Sequence, residues 1–382
     1  MGIALFIAIA WQIGITIIGI LIELHQSPDG TISGIFQHTD RWDAGWYRAI
    51  ATQFYNPETG ASPASPAFYP LFPLLVVIVQ NIFFQQISLI DAGVIVNTVA
   101  LWLALAAILK IGRHFSSSKL FRLGLVFFVL VSPAAFFLHM FYGEAVFIAL
   151  GFWAYLFALE RKWVPMAILL AFLTAARLPS LLFIGLCALE LMRAYRWKLR
   201  DIINRYAVWF LLTPLGFITY GLLLWVQTGD FLAMFHAYST TQDWTYQTFN
   251  LNIVGTVIHE ITTSTRQFVD GAITKELVTN HLLPLSGLFV LLATSLYALI
   301  KLKGKFVPLG IFGLVAFVLF TLNSNVVSVH RYILPCLVIY LVFVAILEKK
   351  PRLYVVAILL SILSILIQLG LMYFFIDGHF AG

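Results

Sequence analysis

The sequence predicts an all-α membrane protein, a polytopic bundle of about eleven transmembrane helices, on three observations. Mean hydropathy is +0.94, and 61% of the 382 residues are hydrophobic against 10% charged, more apolar surface than a soluble core can hide. Apolar runs long enough to be membrane helices recur along the whole chain. The basic residues sit in short clusters between those runs, the pattern of a topology signal and not of a nucleic-acid surface, so no nucleic-acid partner is expected despite the formal charge of +6.

The first element, MGIALFIAIAWQIGITIIGILIEL, is apolar for about 20 residues and lacks both a basic leader and an A-x-A cleavage site after the apolar run, so it reads as a retained span at about 3 to 22. An outer segment follows, 23 to 88. Its centre, HTDRWDAGWYRAIATQFYNPETGASPASPAFYPLFPLL from His38 to Leu75, is unusually polar for this chain. Read as a helix from about Thr39 to Phe54, it sets Asp40, Asp43 and Tyr47 on one side at i, i+3 and i+7, with Trp42 and Trp46 paired beside them. Two roles are open to the acids. Asp40 as N-cap and Asp43 as the third-position acid would merely satisfy orphan amides; otherwise they face a space where chemistry is done. Asp40 suits the cap better, which leaves Asp43 as the working group.

The next stretch, FYPLFPLLVVIVQNIFF (68 to 84), is short and carries two prolines. If it crossed, the basic connection 110 to 122 would fall on the side of the aspartates, so a re-entrant or interfacial helix is expected. Further spans are expected at about 89 to 109, 121 to 140, 144 to 160, 163 to 176, 179 to 193, 206 to 226, 282 to 300, 306 to 322, 331 to 347 and 353 to 375. The inner connections, at 110 to 122, 160 to 162, 190 to 205, 301 to 305 and 348 to 352, then hold 17 of the 23 Lys and Arg. That asymmetry places the N-terminus in the cytoplasm and the aspartates outside. The hairpin 163 to 193 is short for a bilayer and turns at AARLPS, which would leave a cavity open to the outside. A second outer loop, Gln227 to His281, is rich in Thr and reads as a lid, an acceptor platform or a structural cap. Cys187 and Cys336 lie in apolar spans without metal spacing and read as small core residues.

Ionisable groups at membrane depth cost roughly 2.5–3.5 kcal/mol each and are usually paired or functional. Here they are Glu144, in SPAAFFLHMFYGEAVFIAL with His139 and Tyr142 presented beside it; Arg177, in LTAARLPSLLF; His330 with Arg331; and Asp91, which reads as a helix-start charge. Glu144 and Arg177 could simply neutralise each other, and His330-Arg331 could be an interfacial anchor.

RWDAGWYRAIA followed by AFYPLFPLL resembles the RWDxxxY…FFPLFPLL signature of the PIG-V family, membrane mannosyltransferases of the GT-C class. The segment ending YGE resembles the family's YSE element with Gly143 in place of its serine. Arg177 matches the arginine of an A-x-x-x-R-S-N-G region from which Leu178, Pro179 and Ser180 depart, and Arg331-Tyr332 with Pro335 resembles a late RY-x-x-P element. The resemblance implies a GT-C fold, with residues 1 to 205 as the core module and 206 to 382 as a variable C-terminal module. It implies a polyprenyl-phosphate sugar donor, with mannose as the sugar, and a lipid or glycan acceptor. It also implies an extracytoplasmic site in the plasma membrane of a prokaryote, with no metal and no cofactor. Displacing a sugar from a lipid phosphate needs a base for the acceptor hydroxyl, for which Asp43 is the candidate with Asp40 beside it. The departing phosphate needs cations, for which Arg331, His330 and Arg177 are candidates. Glu144 and Tyr142 fall with the donor-binding groups, and Trp42, Trp46, Phe68 and Tyr69 offer faces for sugar stacking, the lipid or simple packing. No Walker loop or G-x-G-x-x-G element is present, in keeping with a lipid-linked donor. Two other classes fit the same features, a transporter or flippase of a lipid-linked saccharide and a non-catalytic partner subunit. Interrupted helices paired between two halves would mark the transporter, and only one such hairpin is visible.

Overall fold

A computed structural model describes residues 1–27, 31–32, 34–198, 200, 206–240, 250–271, 274–323 and 325–379. Outside them lie 199 and 201–205 of the expected inner connection 190 to 205, and parts of both outer loops. Among the described residues the protein is all-helical, with sixteen α-helices. Six helical stretches are long and apolar enough to cross a membrane: Gly2–Gln26, Leu89–Phe115, Ala207–Thr228, Leu277–Leu302, Gly304–Thr321 and Pro351–Ile376. The expectation of eleven crossings is therefore corrected to six candidate spans among the described residues.

Helix length explains the difference. A bilayer core of about 30 Å takes about 20 residues at a rise of about 1.5 Å each. The segments expected at 144 to 160, 163 to 176 and 179 to 193 are helices of 16, 12 and 15 residues. The segment expected at 121 to 140 stops at Leu130, ahead of Pro133, and the one expected at 331 to 347 breaks between Tyr332 and Leu337 around Pro335, which has no N–H to donate. The stretch 68 to 84 forms a helix of 12 residues, Leu71–Ile82.

The chain divides into two compact units and passes between them several times. Unit 1 holds 1–114, 137–244 and 376–378; unit 2 holds 115–136, 245–375 and 379–382. Unit 1 contains α1 (Gly2–Gln26), α2 (Ala44–Gln53), α3 (Leu71–Ile82), most of α4 (Leu89–Phe115), α6 (Glu144–Leu159), α7 (Trp163–Thr174), α8 (Ser180–Ala194), α9 (Leu215–Thr228) and α10 (Ala233–Thr240). Helix α6 packs on α7 and α8, and α7 packs on α9. Gly216 permits that last approach: a Cβ there would lie 1.9 Å from the Ala171 carbonyl oxygen. Ile50, Tyr55, Tyr69, Tyr220, Leu224 and Met234 form one buried cluster. In it the Tyr55 and Tyr220 hydroxyls donate to the carbonyls of Phe68 and Pro66, each at 2.7 Å, which anchors the proline-rich return to α3.

Unit 2 contains α5 (Lys119–Leu130), α11 (Ile253–Val269), α12 (Leu283–Tyr297), α13 (Val307–Thr321), α14 (Val329–Tyr332), α15 (Leu337–Lys349) and most of α16 (Tyr354–Ile376). Helix α12 packs against α13, α14 and α15. The carbonyls left without partners where α5 stops are recovered by α16. Gln368 Nε2 donates to Leu130 and Ser132 at 3.3 and 3.2 Å, and Ser364 Oγ donates to Val131 at 2.6 Å.

Candidate functional site

The aspartates do not share the face of one helix. The helix expected from Thr39 begins only at Ala44, after a 3₁₀ turn at Gln37–Thr39 and a Trp42 in the left-handed region at φ +54°. A left-handed tryptophan strains the backbone and breaks the helical run between the two acids. The N-cap is Asp43, not Asp40, and the Asp43 side chain makes no cap hydrogen bond. Capping thus accounts for neither carboxylate. Asp40 is buried at its side chain and forms an ion pair with Arg48 on α2, while Asp43 is half-buried.

The turn at 139–144 holds this loop in place. Tyr142, 1% exposed, accepts the Asp43 backbone N–H at 3.0 Å and donates its hydroxyl proton to the Arg41 carbonyl at 3.1 Å. The Phe141 N–H donates to the Thr39 carbonyl at 3.2 Å, and Asn97 Nδ2 of α4 donates to the Met140 carbonyl at 2.6 Å. Edge contacts from Tyr47 to Phe68, Phe72 and Tyr142, with ring centroids 5.4–6.1 Å apart, fill the space beneath. At Gly143, where the resembled element has serine, a Cβ would meet Phe72 Cβ at 3.4 Å, so the position has room for one.

Two residues past Tyr142, Glu144 opens α6 and pairs with Arg177 from the turn between α7 and α8. Their side chains are 5% and 15% exposed. Unit 1 therefore bonds the Asp43 backbone to Tyr142, two residues ahead of the Glu144–Arg177 pair, with Asp40 paired to Arg48 in the same loop. Trp46 stacks on Phe68 at 5.5 Å with both rings half-buried, and Trp42 is 44% exposed. Tyr69 lies in the tyrosine cluster, its hydroxyl 3.8 Å from Met234 Sδ, where packing explains it. Asp91 accepts from the Ser88 hydroxyl and backbone N–H at the start of α4, the helix-start role expected of it. His330 and Arg331 belong to unit 2, where both are buried. The Arg331 guanidinium lies 5.2 Å from the Tyr332 ring centroid, and His330 borders an apolar cavity of about 280 Å³ with Phe128, Val290, Ile333 and Phe343.

Three partners were missed in the sequence. Arg48 is one. Arg41 is another: it ties the loop to the C-terminal end of α1 through Glu23 at 3.5 Å and donates to the Ile376 carbonyl at 3.2 Å. Arg41 and Glu23 line a polar cavity of about 350 Å³ with Gln26, Ser27 and Thr31. The third is a histidine pair. His139, expected to be presented beside Glu144, is wholly buried. Its Nε2 lies 3.1 Å from His38 Nε2, and its Nδ1 bonds Gln12 Oε1 of α1. Burial and the nearby Arg41 cation lower the His38 pKa to about 4, and burial with His38 alongside lowers that of His139 to about 3. A lone glutamine inside the first apolar run was the available signal.

Among the described residues no group of three or more His, Cys, Asp or Glu side chains is placed to hold a metal ion. Compared with known proteins, the chain matches no family and no curated sequence.

Proposed function

We propose that unit 1 carries the active site of a membrane glycosyltransferase of the GT-C type, one that moves a hexose from a polyprenyl-phosphate donor to a hydroxyl on a lipid or glycan. The observation that carries this reading is Asp43, a half-buried carboxylate at a helix start that is not spent on capping and is held by Tyr142 two residues from a buried acid–arginine pair. The sequence resemblance of RWDAGWY to the PIG-V signature supports the sugar and the lipid donor, with mannose first. Asp43 takes the proton of the acceptor hydroxyl, and the resulting oxygen attacks the anomeric carbon. The bond from that carbon to the phosphate oxygen breaks, and the configuration inverts. Arg177, aligned by Glu144, supplies positive charge to the departing phosphate.

Helix polarity supports an extracytoplasmic site. Helices α4 and α8 carry Lys110 and Arg113, and Arg193, at the ends away from Asp43, and Arg161 and Lys162 follow the corresponding end of α6, while α4 meets the site turn through Asn97. By the positive-inside rule those basic ends are cytoplasmic.

The test is transfer by the purified chain in vesicles containing polyprenyl-phosphate mannose and a lipid acceptor extract. Asp43→Asn should keep the fold and lower transfer by about 10²–10⁴-fold. Undiminished transfer removes Asp43 as the base. Movement of the intact donor across the vesicle with no transfer replaces the enzyme with a transporter.

A further inference from the structure

Helix α11 is built inside out. Thr256, Glu260 and Ser264, spaced i, i+4 and i+8, are 4%, 1% and 4% exposed, whereas Val254, Ile258, Ile261, Phe268 and Val269 are 69%, 54%, 38%, 59% and 76% exposed. At about 100° per residue, those five apolar side chains span a sector about 100° wide that also holds Thr265, and His259 and Arg266 lie together about 60–80° past one edge of it. A helix washed by water would place its polar stripe outward. This one turns it toward the protein, where two of the three find partners: Glu260 Oε2 accepts from His281 Nδ1 at 2.6 Å, and Thr256 Oγ1 donates to the Asn323 carbonyl at 3.1 Å.

Those partners fix its level. His281 lies in the first turns of the apolar helix Leu277–Leu302, and Asn323 follows the end of Gly304–Thr321, both long enough to span a membrane. Helix α11 packs on both. It therefore packs at the ends of two candidate spans. We infer that α11 is an interfacial membrane anchor: Val254, Ile258, Ile261, Phe268 and Val269 lie among lipid acyl chains, and the His259 and Arg266 edge meets lipid phosphates. A helix with an apolar sector bordered by basic residues is the form such anchors take. Arg266 also lies 3.9 Å from Asp270, both exposed, so the ion pair leaves its guanidinium open to a phosphate. The segment expected as a lid or platform over the outer face is thereby a piece of the membrane-binding surface.

The test uses the full chain in vesicles of phosphatidylcholine with a minority of phosphatidylglycerol. Cys187 and Cys336 are buried, so nitroxide labels go to introduced cysteines, V254C, I258C, I261C, H259C and R266C. Collision with oxygen, which concentrates in lipid, should exceed collision with a water-soluble nickel chelate at 254, 258 and 261, and the order should reverse at 259 and 266. The chelate dominating at all five positions would make α11 a water-facing lid and overturn the inference. Shielding from both reagents, with dipolar broadening between labels, would overturn it in favour of a second copy of the chain covering this face.

Discussion

The loop around Asp43 and the helix α11 were both expected as outer, polar connections, and both bury polar side chains, yet they do it by opposite means. The loop is stitched across the chain: Asp43 to Tyr142 over 99 residues, His38 to His139 over 101, Glu144 to Arg177 over 33. Helix α11 is held by periodicity, with a polar stripe turned inward and its carboxylate answered by His281, 21 residues on. The first arrangement fixes groups in a geometry no local segment could impose, which suits chemistry. The second orients a surface, which suits contact with a lipid layer.

The comparison breaks first at the Glu144–Arg177 pair. Removing one partner strips a buried charge of its counter-ion, so Glu144→Gln or Arg177→Met should each destabilise unit 1 by about 3–5 kcal/mol, and the double replacement should recover much of that loss. Thermal unfolding in detergent reads it, and single-variant losses within about 0.5 kcal/mol would mean the loop is not held from afar.

Acid should act next. His38 and His139 are held neutral, with pKa values lowered to about 4 and about 3 from an ordinary 6.5. The unfolded chain takes up their protons first, so stability holds above about pH 6.5, falls as pH drops from there toward 4 and levels off below 3. Each histidine contributes about 3–5 kcal/mol to that loss. His38→Asn should flatten the upper part of that fall in a pH series of unfolding temperatures; an unchanged profile would remove the pair as its cause.

Arg48→Ala should matter least. Its side chain is 48% exposed and its pair with Asp40 is screened, so a loss below about 1 kcal/mol is expected. A larger loss, measured by the same unfolding, would make Asp40 a structural residue and sharpen the assignment of Asp43.

Much of this was legible early, and the residues show where legibility stopped. The apolar runs gave the helical class because burying backbone in lipid leaves the helix as the available solution for such segments. They overcounted spans because hydropathy does not register where Pro133 and Pro335 end a run or how short the helices at 144 to 193 are. The aspartate loop was found by its polarity, but its helical reading failed at Trp42, whose left-handed backbone no composition announces.

The sequence by itself determined that this chain is a helical protein with membrane-crossing segments, and it singled out Asp40, Asp43, Glu144 and Arg177, because charge in so apolar a chain is costly and conspicuous. Only the tertiary structure decided that Asp43 begins a helix it does not cap, that Tyr142 holds it, and that α11 turns its polar side inward. Those facts depend on contacts between residues far apart in the chain, or on which side of a helix its neighbours cover, and neither is written in local order.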